Sequence, residues 1–170
     1  PANRTGCSGG MPEESIEFVI NHGIAYRDTY PYMGWGLSGF KRCQKFKNET
    51  KTSYKLTAVQ RVNKGKDAEL LNALVNVGPI SVSTFVSQNF VHHKKGVLED
   101  ELCEPSSPIN HAMVLVGYGN ENGKDYWLIR NSWGESKGEK GYFKLARNIA
   151  NHCQISRNAY IPRAKDLLRG

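Results

Sequence analysis

Apolar and polar positions recur with two different periods along this chain, and the change of period divides it. Between Pro12 and Gly23, the residues Ile16, Val19 and Ile20 fall at helical spacing and make one stripe. Pro12 suits a first helical position, Glu13, Glu14 and Glu17 sit toward the positive end of the dipole, and Gly23 is a fitting stop. A second helix is predicted from about Asp67 to Val77, with Leu70, Leu71, Leu74 and Val75 as its stripe and Gly78-Pro79 as terminator. Beyond Pro79 the period falls to two. Ile80, Val82 and Thr84 alternate with serines, which predicts a strand with one buried face. The run Ala112-Met113-Val114-Leu115-Val116 is apolar throughout and reads as a central strand buried on both faces. Tyr126–Ile129 and Tyr142–Leu145 are two further strands. Residues 24–55 hold no sustained period and read as loops, and the charged tail from Arg163 reads as frayed. Helices early and antiparallel strands late make an α+β chain.

Composition narrows the picture. The 170 residues are enough to bury a core without metals or staples. The longest apolar run is far short of the ~20 residues of a transmembrane helix, so no membrane partner is expected. The net charge of +7 is spread out, its densest patch being His92-His93-Lys94-Lys95. That predicts a solvated basic surface and no nucleic-acid partner. The chain begins Pro1-Ala2-Asn3 without a leading Met, and reads as a processed chain or a fragment. Cys7, Cys43, Cys103 and Cys153 show no CxxC pairing, so no metal site is expected. The sequons at Asn3 and Asn48 fit a secretory route, in which disulfides form.

Candidate chemistry lies at one end of a hairpin. Residues 119–123 are dense in turn formers between two predicted strands. If the hairpin is centred on Glu121, His111 and Asn131 face each other at its open end, with Cβ atoms about 5 Å apart. An Asn carbonyl that accepts one ring N–H orients the imidazole and leaves the other nitrogen to take a proton from a nucleophile. The same two residues could equally do no more than satisfy backbone groups at strand ends.

The surrounding residues add a resemblance. Asn110-His111-Ala112-Met113-Val114-Leu115-Val116-Gly117-Tyr118-Gly119 resembles the histidine motif of papain-like cysteine proteases, and Asn131-Ser132-Trp133-Gly134 resembles their asparagine motif. Gly6-Cys7-Ser8-Gly9-Gly10 is similar to their glycine-rich substrate-binding turn. Tyr30-Pro31-Tyr32, Gly78-Pro79-Ile80-Ser81-Val82 and Asn151-His152-Cys153 follow the same family, nearest its cathepsin L side. The resemblance implies a papain-like two-lobe fold. Residues 1–54 would be the remnant of a helical lobe, 55–157 an antiparallel β-barrel-like lobe, and 158–170 a C-terminal tail.

It also implies roles. His111 is the general base, Asn131 its orienter and Trp133 the shield of their hydrogen bond. Gly9 and Gly10 would run beside an extended peptide or protein substrate, whose backbone can come close where no Cβ intervenes. Met11, Pro12, Ser83, Ile109, Asn110, Ala112 and Asn158 would complete substrate binding. Most of these line the pocket for the second residue before the cleaved bond, which would favour aliphatic or aromatic side chains. Cys103 and Cys153 match a family disulfide, whereas Cys7 and Cys43 match cysteines whose partners lie in a segment this chain lacks. The nucleophilic Cys and the Gln of the oxyanion hole belong to that segment too, and it could be supplied as a separate chain. Lys137 stands where the family often has a Trp. The stretch from Gly10 to Gly78 is too short for the occluding loop of cathepsin B-like enzymes. The implied activity is therefore a thiol endopeptidase, lysosomal or extracellular, with no cofactor and with this portion inactive by itself. The alternative is a non-catalytic homologue that binds peptides or proteins. Without the segment, the stripe of Ile16, Val19 and Ile20 is expected to lack part of its cover.

Overall fold

The structure, a computed structural model, describes residues 9–28, 30–31, 55–62 and 65–164. Cys7, Cys43, Tyr32 and the sequons at Asn3 and Asn48 lie outside the described residues.

Three helices and seven strands are present among them. In chain order they are α1 (Pro12–His22), β1 (Ala58–Arg61), α2 (Asp67–Val77), β2 (Ile80–Thr84), α3 (Gln88–His92), β3 (Val97–Leu98), β4 (His111–Glu121), β5 (Lys124–Arg130), β6 (Tyr142–Ala146) and β7 (Asn158–Arg163), with a 3₁₀ turn at His152–Gln154 before the last strand. Both long helices occupy the predicted spans. Each ends where its glycine amide, Gly23 or Gly78, bonds back to Val19 or Leu74. Leu70 and Leu74 of α2 are buried, but no residue of α1 is, and Ile16, Val19 and Ile20 are only half-buried. Phe18 beside them is half exposed.

One sheet joins all seven strands in the order β1-β7-β2-β4-β5-β6-β3. The pairs are antiparallel except β3 with β6, which is parallel and only two residues long. The core lies on one face, where Ile80, Val82, Met113, Leu115, Trp127, Ile129, Phe143, Leu145, Ala159 and Ile161 meet Leu70, Leu74 and Phe90.

Three expectations are corrected here. Residues 158–163 are not a tail. They form β7, inserted between β1 and β2 with Ala159, Tyr160 and Ile161 buried. Pro162 concealed this strand in the sequence, because proline cannot donate to a ladder. It lies past the stretch paired with β2 and faces only Val59 of β1. The second correction concerns β4. Despite its uniformly apolar start it is buried on one face alone, with Met113 and Leu115 inside and Val114 40% exposed. The third is the hairpin register. The strands run on to Glu121 and Lys124, and the turn is the pair Asn122-Gly123, with φ of 52° and 80°. Those angles suit a tight two-residue turn, which an Asn-Gly pair adopts at little cost.

Candidate active site

His111 opens β4 and pairs with Thr84 of β2, so its backbone is held inside the sheet. Asn131 follows directly on β5, and its amide N–H donates to the Gly141 carbonyl at 3.0 Å. A bulge between Leu115 and Gly117 moves the hairpin register. Val114 then faces Arg130, and continuing that register sets Asn131 against Met113 rather than His111. His111 and Asn131 are therefore diagonal neighbours on one face, a spacing that long side chains can bridge. They do so: His111 Nε2 lies 2.9 Å from Asn131 Oδ1.

The proton on this bond can be placed. The Ser132 amide N–H donates to Asn131 Oδ1 at 2.7 Å, which identifies that atom as the oxygen. An oxygen only accepts, so His111 Nε2 carries the hydrogen and Nδ1 keeps the lone pair in the neutral ring. The imidazole is thus set to receive a proton at Nδ1 and return it. Asn131 Nδ2 is buried with no hydrogen-bond partner among the described residues, so the amide is not rotated by a competing contact.

Trp133 packs against His111. Its ring centroid is 5.1 Å from that of His111, tilted by 30°. Its other contacts are edge-on to Phe90 and Phe143, both at 6.0 Å, and those two rings stack on each other at 4.6 Å. The aromatic residue therefore lies against the imidazole and also joins the core. The loop after it is fastened from outside. Glu139 accepts from the Gly96 N–H at 3.0 Å, and Lys144 on β6 bridges Glu139 and Glu121 at 3.1 and 2.7 Å. The Gly96 contact holds the Glu139 carboxyl below its ordinary range, and the Glu121 hydrogen bond raises the Lys144 ammonium.

The remaining expected residues fall into distinct places. Asn158, Ser83 and Ala112 form a single row across β7, β2 and β4. That row lies on the face opposite the core, because its sheet neighbours Val82, Met113 and Ala159 point inward. Met11 and Pro12 are half-buried at the start of α1, whose contacts are with β1, β2 and β7. Ile109 is half-buried just before β4. Gly9 and Gly10 are exposed, and a Cβ on either would meet nothing within 4 Å. Asn110 is the exception. Its side chain spans Val86 instead, accepting from the amide at 2.8 Å and donating to the carbonyl at 3.0 Å. The side chain is consumed in tying the chain after β2 to the start of β4, which leaves only its backbone to offer a ligand.

Cys103 and Cys153 form a disulfide with Cα atoms 4.8 Å apart. Neither can then supply a thiolate. Beside the bridge, His152 Nε2 accepts the Asp100 N–H at 2.9 Å, and Asp100 in turn accepts from Ser87 Oγ and Asn89 Nδ2. Burial pushes the His152 imidazole below its ordinary pKa against the pull of Asp100, Glu99 and Asp67. Sequence reasoning missed this network, the Ser132 amide and Phe90. A backbone amide works whatever side chain it carries, and Phe90 acts through a contact distant in sequence.

Comparisons with known proteins agree with this geometry. Residues 2–163 match the papain family of cysteine proteases. Cathepsin K of Mus musculus is 40% identical over 93% of this chain and 46% of its own length. A cathepsin L-like proteinase of Fasciola hepatica is 34% identical over 95% of this chain and 48% of its own. The chain thus spans about half the length of these relatives. Among solved structures, the bromelain protease of Ananas comosus in complex with the E64 inhibitor superposes with a TM-score of 0.84 and 32% identity, covering 97% of this chain and 74% of that one. With the fold, the histidine–asparagine pair and this similarity in agreement, the chain belongs to the papain family of cysteine proteases.

Proposed function

We propose that this chain is the base-and-orienter portion of a thiol endopeptidase, acting on extended peptide or protein substrates. The observation that supports it most is the His111–Asn131 bond with its proton placed by Ser132. In the reaction, Nδ1 of His111 takes the thiol proton of a cysteine, and the thiolate attacks the substrate carbonyl to form a C–S bond. The C–N bond breaks as the imidazolium gives its proton to the leaving amine. Water, deprotonated at the same nitrogen, then hydrolyses the thioester, and the proton returns to the thiol.

Both described cysteines being bridged supports a nucleophile held by a segment beyond these residues, in a longer chain or in a separate one. The helical lobe at 1–54 and the sheet lobe from 55 onward are the two walls of the proposed cleft. Gly9, Gly10, Met11, Pro12, Ser83, Ile109, Ala112 and Asn158 line it. The disulfide, with the sequons at Asn3 and Asn48, supports a lysosomal or extracellular setting. Among the described residues no helix is long and apolar enough to cross a membrane.

The test has two arms. The purified 170-residue chain should neither cleave a fluorogenic peptide nor form a stoichiometric adduct with an epoxide inhibitor. Turnover that vanishes in His111→Ala would overturn the division of labour. In a longer protein that joins this chain to a nucleophilic cysteine, His111→Ala should lower kcat/KM by roughly 10²–10⁴-fold. An unchanged kcat/KM would overturn the assignment of the base.

A further inference from the structure

We propose that Arg61 is a specificity-positioning residue, which turns the floor of the Met11–Asn158 pocket into a hydrogen-bond donor that selects Gln or Glu side chains. The inference rests on the cleft reading above and adds the substrate class. The apolar walls alone predict an aliphatic occupant, and the floor departs from them.

Arg61 ends β1 and faces Tyr160 of β7 across the ladder. Its guanidinium lies over the Tyr160 ring, 5.5 Å from the centroid, and its Nη2 donates to Asn158 Oδ1 at 2.9 Å. A guanidinium has no acceptor, so the oxygen end of Asn158 is the end it holds. The two ends of a carboxamide point apart. With Oδ1 drawn to the β1 side, Nδ2 and its two hydrogens are turned to the β2 side, where Ser83 is the row neighbour. Ser83 contributes a hydroxyl that can rotate to donate as well. The floor therefore offers donors, framed by the apolar Met11, Pro12 and Ala112.

Charge alone does not set this preference. Glu13 on α1 accepts from the Tyr160 hydroxyl, so a carboxylate and the Arg61 guanidinium share the same tyrosine. What remains is the direction of the amide, which meets an acceptor at a side-chain tip and leaves a methyl tip facing unpaired N–H groups. Asn158 is half-buried, and a hydrogen bond from its amide favours the acceptor tip by up to about tenfold in affinity.

The probes are fluorescein-labelled peptides Ala-Ala-X-Gly-Ala, in which X is the one side chain large enough to fill the pocket. Anisotropy titration of the 170-residue chain compares X as Gln with its near-isostere norleucine. Gln should bind about tenfold more tightly, that ratio should fall to near one in Arg61→Met, and it should return in Arg61→Lys, which can still donate to Oδ1. Arg61→Met keeps a stem to cover Tyr160, and a general loss of fold lowers both affinities without moving their ratio. Tighter norleucine binding in the parent chain, or a ratio unmoved in Arg61→Met, would overturn the role of Arg61 while peptide binding itself upholds the cleft. Failure of every peptide to bind would overturn the cleft reading and this inference with it.

Discussion

Replacing both bridged cysteines, as Cys103→Ala with Cys153→Ala, removes a covalent tie between positions 50 residues apart in sequence. In the chain-entropy description, a loop of that length restricts the unfolded ensemble by about 4 kcal/mol at room temperature. The bridge also sits where several elements depend on it. Cys153 is 2% exposed, and its carbonyl accepts from Thr84 Oγ1 at 2.6 Å and from the Phe85 amide at 2.9 Å. Thr84 is the strand partner of His111, so a loosened Cys153 reaches that imidazole within two contacts. The measurement is urea unfolding of parent and double variant, followed by tryptophan fluorescence. Stability should fall by about 4 kcal/mol, with a steeper slope because the untied unfolded chain exposes more surface, or by roughly 8–16 °C in a melt, large against the 5–15 kcal/mol of an ordinary domain. A stability loss of less than about 1 kcal/mol would refute the loop-entropy reasoning. In that case the bridge would merely decorate a fold closed by its core.

Stability should also depend on pH through His152, whose folded pKa lies below the ordinary 6.5 because it is buried neutral. The native state then binds fewer protons than the unfolded one, so this contribution is whole above pH 6.5 and declines as pH falls toward the folded pKa. Melts between pH 7.5 and about 5 should show that decline, and a slope of the same size in His152→Gln would count against it. Gly138→Ala should destabilise strongly. Its φ is 57°, and an added Cβ would lie 2.4 Å from the Tyr142 carbonyl oxygen, so a loss above about 2 kcal/mol is expected in urea titration. A neutral result would mean that the loop after Trp133 yields without cost. Asn131→Ala should shift the His111 ring away from the Nε2–H tautomer, read from ¹⁵N chemical shifts, whereas an unaltered tautomer would show that Asn131 does not orient it.

The ends of the two long helices and four of the seven strands could be read without the structure, since they depend on short-range physics. A glycine or Gly-Pro stop, a proline at the first turn and an apolar period each act within a few residues. The chemistry of the site was legible for a related reason. A hydrogen-bonded imidazole and carboxamide must be particular side chains, and His111, Asn131 and Trp133 stand in motifs that display them. What the sequence left undecided depends on contacts between distant segments. The turn at Asn122-Gly123 by itself would set Asn131 against Val114, and the bulge at Leu115–Gly117 shifts it to Met113, on the face of His111; no local pattern announces a bulge. β7 escaped notice because Asn158 and Pro162 are poor strand formers, and only the edges of β1 and β2 give them a place. Asn110 looked available to a substrate until the chain around Val86 closed on it. The proton on Nε2 is fixed by a Ser132 amide, and the oxygen of Asn158 is held by Arg61, 97 positions away in sequence. Residue types thus determined which chemistry is possible here, and packing alone decided which atoms face one another to perform it.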